Sequence, residues 1–404
     1  MWEDNELKGV EFIPEPTDSR ILSATDPNTI GHQEGWRSEV LGWDPEPVPV
    51  ISRQRRNSQR IANTGILVLI VIIFWAVSQY LLIDLPPPTS EWAFEEVGAR
   101  DLQDSGLTGS DVRVCMVDTG IDTTHPDLAG VDLVFKDFIS GSSGPVDYGL
   151  LAHGTMMAGI LVADGYLQGV APRVTLGMAA ALGEDGSGGN SGDEQLVANA
   201  IEWCWRTFEA DIISLSLGGE SDPEAEREGP TTNAVRLALA NGVYVVAAAG
   251  NDGGVSDDGR VSTPSNVAEV ISVAALERDG TVWSGSSIGA PVDSSGDERV
   301  SPHLKPEISA PGVGIISTAK GGEYYSSTGT SDATVFVSGI LALILEAEPN
   351  LKDNPSLECI TQVKEALMVS AESLEADIEH DSQWGYGSID GSDWLDEIRL
   401  ANIC

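Results

Sequence analysis

Three short motifs, far apart in the chain, carry side chains that could do chemistry. The apolar run Val112 to Val117 ends in Asp118-Thr119-Gly120, which sets a carboxylate at a strand's carboxyl end beside a glycine turn. Further on, His153-Gly154-Thr155-Met156-Met157-Ala158-Gly159 puts an imidazole at the start of a helix whose small residues allow close packing. Gly329-Thr330-Ser331-Asp332-Ala333 opens an apolar helix with a hydroxyl at its N-terminus, where unpaired N–H groups and the dipole favour a developing anion. Taken singly, each has a plain structural explanation: a turn carboxylate, a packed histidine, a helix cap. Aspartic-protease chemistry would need a second Asp-Thr-Gly motif, and none follows.

Taken together, in the order Asp, His, Ser, the motifs resemble the subtilisin-like serine peptidases, or subtilases. The resemblance covers about residues 90–400 and includes Ile213-Ser214-Leu215-Ser216-Leu217-Gly218-Gly219, Ala247-Ala248-Ala249-Gly250-Asn251 and Lys305-Pro306-Glu307-Ile308-Ser309-Ala310-Pro311-Gly312. It implies that Ser331 is the nucleophile and that His153 takes its proton and returns it to the leaving amine. Asp118 then fixes the imidazole tautomer, while the Asn251 amide and the Ser331 backbone N–H hold the oxyanion. By the same resemblance Ser216, Leu217 and Gly218, with the segment 182–188 that contains Gly186, flank an extended peptide and pair with it as an added strand. Asp252, next to Asn251, implies a preference for a basic residue before the scissile bond. No cofactor is required for the chemistry.

Departures from the family pattern are specific. Asp332 and Val335 stand where the family usually has Met and Pro. In the first turn of its helix Asp332 would be favoured by the dipole and would raise the pKa of a nearby His153, unless its side chain turns outward into solvent. About thirty-five residues separate Ile83 from Asp118, too few for the usual inhibitory propeptide. The short stretch Asp164 to Gly169 leaves no room for the family's calcium loop, so a structural Ca2+ would need other ligands, such as Asp252, Asp257 and Asp258. A catalytically impaired peptide-binding module is the alternative function. An acid peptidase of the sedolisin type would need Glu where His153 stands.

Elements that must position these residues follow from periodicity. Continuous apolar runs at Val112–Val117, Val174–Ala179, Ile212–Leu217, Val243–Ala248 and Val270–Val273 read as strands. Helical patterns over Gly154–Ala163, Glu194–Phe208, Thr231–Ala240, Asp332–Glu346 and Leu357–Val369 separate or follow them. This alternation implies an α/β fold, with a mostly parallel central sheet covered on both faces as the middle of three layers. Catalytic groups are then expected at the carboxyl ends of the strands.

The 404 residues also contain a segment of another kind. Residues 66–83 carry no charge, and with Ile61 to Gly65 they reach the roughly 20 residues that a bilayer core requires. Arg53, Arg55, Arg56 and Arg60 precede this segment and Asp84, Glu91, Glu95 and Glu96 follow it, which orients the N-terminus toward the cytoplasm and the bulk outside. The expected organisation is a disordered acidic tail (1–62) ending in the basic cluster, a transmembrane anchor (63–85) and an exterior peptidase domain (86–404). Of the net charge of −41, −8 lies in residues 1–50 and +4 in residues 51–62, so −37 belongs to residues 84–404. Such a surface repels phosphate backbones, which excludes nucleic-acid partners, and suits a salty exterior. The expected partners are peptide or protein substrates and the lipid bilayer. Four cysteines show no metal-ligand spacing; Cys115 and Cys204 read as packed free thiols, and a Cys359–Cys404 bridge stays open.

Overall fold

A computed structural model describes residues 53–80 and 88–404, apart from 187–188, 220–228, 256, 354–355 and 376–377. The acidic tail therefore lies outside the described residues up to position 52, as do residues 81–85 of the expected anchor. Two units divide at residues 85 and 86. In the first, α1 (Arg53–Tyr80) is one continuous helix with its apolar residues from Ile61 to Trp75 exposed. Its length and composition suffice to cross a membrane. The basic cluster forms the opening turns of this helix rather than the end of a tail, because Arg and Gln are good helix formers.

In the second unit seven strands make one sheet in the order β2-β3-β1-β6-β7-β8-β9, every pair parallel. These are β1 (Arg113–Asp118), β2 (Leu133–Asp137), β3 (Thr175–Ala180), β6 (Ile212–Leu215), β7 (Tyr244–Ala248), β8 (Ile271–Leu276) and β9 (Ile308–Pro311). Two-residue strands β4 (Gly183–Glu184) and β5 (Asn190–Ser191) pair in one hairpin, and β10 (Val313–Thr318) and β11 (Tyr324–Thr328) in another. The central strands are buried along almost their whole length, as parallel strands covered on both faces must be.

Helices of this unit are α2 (Glu91–Glu96), α3 (Ala99–Asp104), α4 (His153–Val162), α5 (Glu194–Arg206), α6 (Pro230–Ala240), α7 (Thr330–Ala347), α8 (Leu357–Ser370) and α9 (Gly391–Ala401). Side-chain alternation puts them in two layers. Cys115 on β1 is bridged to Cys204 of α5, whereas Ser214, in register with the next residue Met116, accepts a hydrogen bond from Ser338 of α7. Successive residues of a strand point to opposite faces, so α5 and α7 lie on opposite sides of the sheet. From Thr330 to Leu345 α7 is buried throughout, which explains a helix that is apolar on every side yet is the core of the domain.

The cysteine expectation needs correction. Cys115 and Cys204 are not free thiols but a disulfide, and Cys359 is bridged to Cys404, leaving no free cysteine among the described residues. The first pair was opaque to sequence reasoning because its partners, 89 residues apart, meet only through the packing of α5 on β1.

Candidate active site

The carboxyl ends of the strands bring the three motifs together. Asp118 closes β1, is buried, and its Oδ1 accepts hydrogen bonds from the Thr119 N–H (2.6 Å) and from His153 Nδ1 (2.8 Å). His153 begins α4 directly after Leu151 and Ala152, both held at positive φ (54° and 58°), a costly conformation for non-glycine residues that turns the chain sharply into the helix. The helix can close on β1 because residue 154 is Gly: a Cβ there would fall 2.2 Å from the Gly120 carbonyl oxygen.

Beneath this pair lies a carboxylate that sequence reasoning missed. Asp147 is buried; its Oδ1 accepts from Thr119 Oγ1 (2.7 Å) and the Gly149 N–H (2.8 Å), and its Oδ2 accepts from the Thr155 N–H (2.8 Å) and Oγ1 (2.6 Å). Thr119 Oγ1 in turn accepts from the Gly154 N–H (2.8 Å), so the network ties the β1 turn to the first turn of α4. Its one sequence signal is an Asp in a Gly/Ser-rich loop, which is too common to single out.

Ser331 is in the first turn of α7, where N–H groups lack intrahelical partners and face the cleft. Its hydroxyl donates to the Ser216 carbonyl (3.3 Å), and the Ser216 hydroxyl donates back to the Ser331 carbonyl (3.1 Å). The nucleophile candidate thus rests on the substrate-strand segment. Asn251 follows β7, and its Oδ1 accepts from both the N–H and the Oγ1 of Thr330 (2.9 Å each). That orientation leaves Nδ2 as the donor available to a ligand.

Electrostatics here depart from the ordinary. Burial works against a charged His153, but the Asp118 carboxylate, by charge and hydrogen bond, and then Asp332 and Asp147 outweigh it and raise the pKa to about 9. Asp332 is fully buried, not turned outward. Its Oδ2 accepts from Ser327 Oγ on β11 (2.9 Å), and its Oδ1 has no partner among the described residues. Burial pushes this carboxyl up to about 7, against the opposing pull of Ser327 and His153. Val335, the other departure, is buried within α7 and continues its apolar packing.

A cleft of about 690 Å³ runs from His153, Asn251 and Ser331 along Ser216, Leu217 and Gly218. Two expected substrate contacts are placed elsewhere. Gly186 sits at positive φ in the β4–β5 turn, beside residues 187–188 that lie outside the described ones, and is not in the cleft lining. Asp252 is exposed, does not line the cleft and accepts a hydrogen bond from Ser287 Oγ. The acidic residue that does line it is Glu194, the first residue of α5. Asp252, Asp257 and Asp258, the carboxylates named for a structural Ca2+, hold separate hydrogen bonds. Asp257 accepts from the Gly259 and Ile288 N–H groups and Asp258 from the Arg260 N–H, and no cluster of three His, Cys, Asp or Glu residues converges among the described residues.

Comparison with known proteins agrees with this geometry. The model of the subtilase family matches residues 109–387. Subtilisin DY of Bacillus licheniformis is 35% identical over 282 residues, covering 69% of this chain and 90% of its own. Subtilisin NAT of Bacillus subtilis subsp. natto is 34% identical over 64% of this chain, and here the chain spans only 61% of the relative's length. Among solved structures, the prenylagaramide maturation protease PagA aligns with a TM-score of 0.59 and 25% identity, over 74% of this chain and 98% of that one. A family match over most of the second unit, with the family's motifs converging on one cleft, places the chain in the subtilase family of serine peptidases.

Proposed function

We propose that this protein is a serine endopeptidase anchored in a membrane by α1, with residues 86–404 on the extracytoplasmic side. The observation that carries the chemistry is the Asp118 Oδ1–His153 Nδ1 hydrogen bond of 2.8 Å at the end of a cleft that Ser331 shares. His153 Nε2 takes the Ser331 proton as Oγ adds to the scissile carbonyl, and the Ser331 N–H and Asn251 Nδ2 receive the oxyanion. Breaking the C–N bond sends the proton on to the amine and leaves an acyl-enzyme. Water, deprotonated by the same His153, then releases the acid. Asp118 keeps Nδ1–H in place throughout.

For the location, the arginine cluster at the start of α1 and the carboxylates after it support an exterior domain. Two disulfides in that domain suit an oxidising compartment. The chemistry is tested by fluorophosphonate labelling together with peptide hydrolysis. Wild type is expected to be labelled at Ser331, whereas Ser331→Ala and His153→Ala each lose hydrolysis to a similar extent. Because the two act as one unit, the double variant should be scarcely worse. A chain that binds peptides but is never labelled would instead be the impaired binding module, and additive losses would point to another mechanism.

A further inference from the structure

Among the described residues that line the cleft, Glu194 is the one carboxylate. Glu194 lies away from the reacting centre in sequence and element, at the start of α5, and it is exposed. Its backbone and side chain are fixed by neighbours. Asp193 caps α5 by accepting the Gln195 and Leu196 N–H groups. The Thr231 N–H, in the first turn of α6, is 3.5 Å from Glu194 Oε1. A Cβ on Gly229 would fall 2.1 Å from that same oxygen, so the carboxylate lies close against the turn into α6. Glu194 thus sits at the N-terminal ends of two helices, and no Lys or Arg among the described residues pairs with it.

The same cleft is lined by Val197, buried one turn further along α5, and by Leu217 of the substrate-strand segment, among polar residues such as Asn190, Ser191 and Thr231. An aliphatic stem with a cationic head matches this arrangement, the stem against Val197 and Leu217 and the head at the carboxylate. A carboxylate or a short polar side chain does not. We propose that Glu194 is a specificity-determining residue that selects peptide substrates carrying Lys or Arg at one fixed position on the amino-terminal side of the scissile bond. This inference rests on the peptidase reading above. It also relocates the acidic recognition expected of Asp252, which lies outside the cleft.

The net −37 of residues 84–404 attracts any basic peptide to the whole surface, so a general preference for cationic substrates would not implicate Glu194. Position does. An extended peptide points alternate side chains to one side, so a single site in the cleft reads one residue of the sequence.

The test uses the full chain and internally quenched peptides of neutral sequence in which one Arg is moved through the five positions before the cleaved bond. Wild type is expected to show kcat/KM raised about fivefold for Arg at one position, the gain typical of a single partly exposed ion pair. Glu194→Gln should abolish that gain, so that the variant cleaves the Arg-bearing and the all-neutral peptides with equal kcat/KM. Glu194→Lys should transfer the preference to Glu at the same position. Equal rates for all Arg positions, or a positional gain that survives in Glu194→Gln, would overturn the inference. Failure to cleave any peptide, with no fluorophosphonate labelling of Ser331, would instead overturn the peptidase reading and this inference with it.

Discussion

Replacing Asp332 by Asn tests whether the buried carboxylate beside the nucleophile sets the working pH. Asp332 and Asn have nearly the same shape, and Asn can still accept from Ser327 Oγ, so the change removes mainly a charge. An opposite charge within ~4–6 Å raises a histidine pKa by about 1–3 units. Asp332 acts on His153 after Asp118, so the low end of that range, about one unit, is the expected drop of the acid limb when its charge is removed. With His153 at about 9, about 10% is free base at pH 8, where Asp332 is ionised, and a limb lowered by one unit makes that about half. The expected result is a roughly fivefold gain in kcat/KM at pH 8, with little change on the alkaline plateau. The effect should fade below pH 7, where Asp332 itself is protonated.

Stability supplies an independent readout. The folded pKa of about 7 exceeds the roughly 3.9 of an unfolded Asp, so the folded state retains a proton that the unfolded chain has lost. Wild-type stability from this group is therefore present below about pH 4 and lost as pH rises to 7. The loss is on the order of a few kcal/mol, larger than the ~0.3–1 kcal/mol the helix dipole returns. In a Ser331→Ala background, which prevents self-digestion, the Asn variant should gain in unfolding midpoint relative to its parent at pH 8 but not at pH 4. A pH–rate profile that superimposes on wild type would show that the Asp332 charge does not reach His153.

Two further outcomes are expected. Protease added to intact cells should digest residues 86–404 and spare the segment before α1; protection of the domain would refute the orientation. Self-repulsion from the −37 charge of residues 84–404 should lower the unfolding midpoint at low ionic strength, and molar salt should raise it as the Debye length falls to roughly 3 Å. A midpoint unchanged between the two would remove the salt-adapted reading.

The fold was legible where burial is continuous. Apolar runs at Val112, Val174, Ile212 and Val243 each begin a strand within one residue of its start, because strands covered on both faces leave no polar alternation to confuse the pattern. Val270 also locates β8, although the strand runs on to Leu276. Where burial is partial the signal weakens. β2 alternates half-buried and exposed positions at the sheet edge, and β10 and β11 carry Ser and Thr through a polar hairpin, so none of the three stood out. α9 has few apolar positions in eleven residues and owes its place to packing on α8.

The site divides along the same line. Asp118, His153, Ser331 and Asn251 were visible because their neighbours are glycine and small residues in fixed order, a pattern written locally in the chain. What modulates them is written non-locally. Asp332 was noticed only as a departure, and its burial depends on Ser327 from the hairpin that periodicity did not find. Asp147 acts through Thr119 and Thr155 from two other segments. Glu194 was not singled out, because its surroundings include Gly229 and Thr231, more than thirty residues away. The candidate catalytic residues are thus marked by short motifs, whereas the groups proposed to set pH range and choice of substrate owe their positions to how distant segments pack around one cleft.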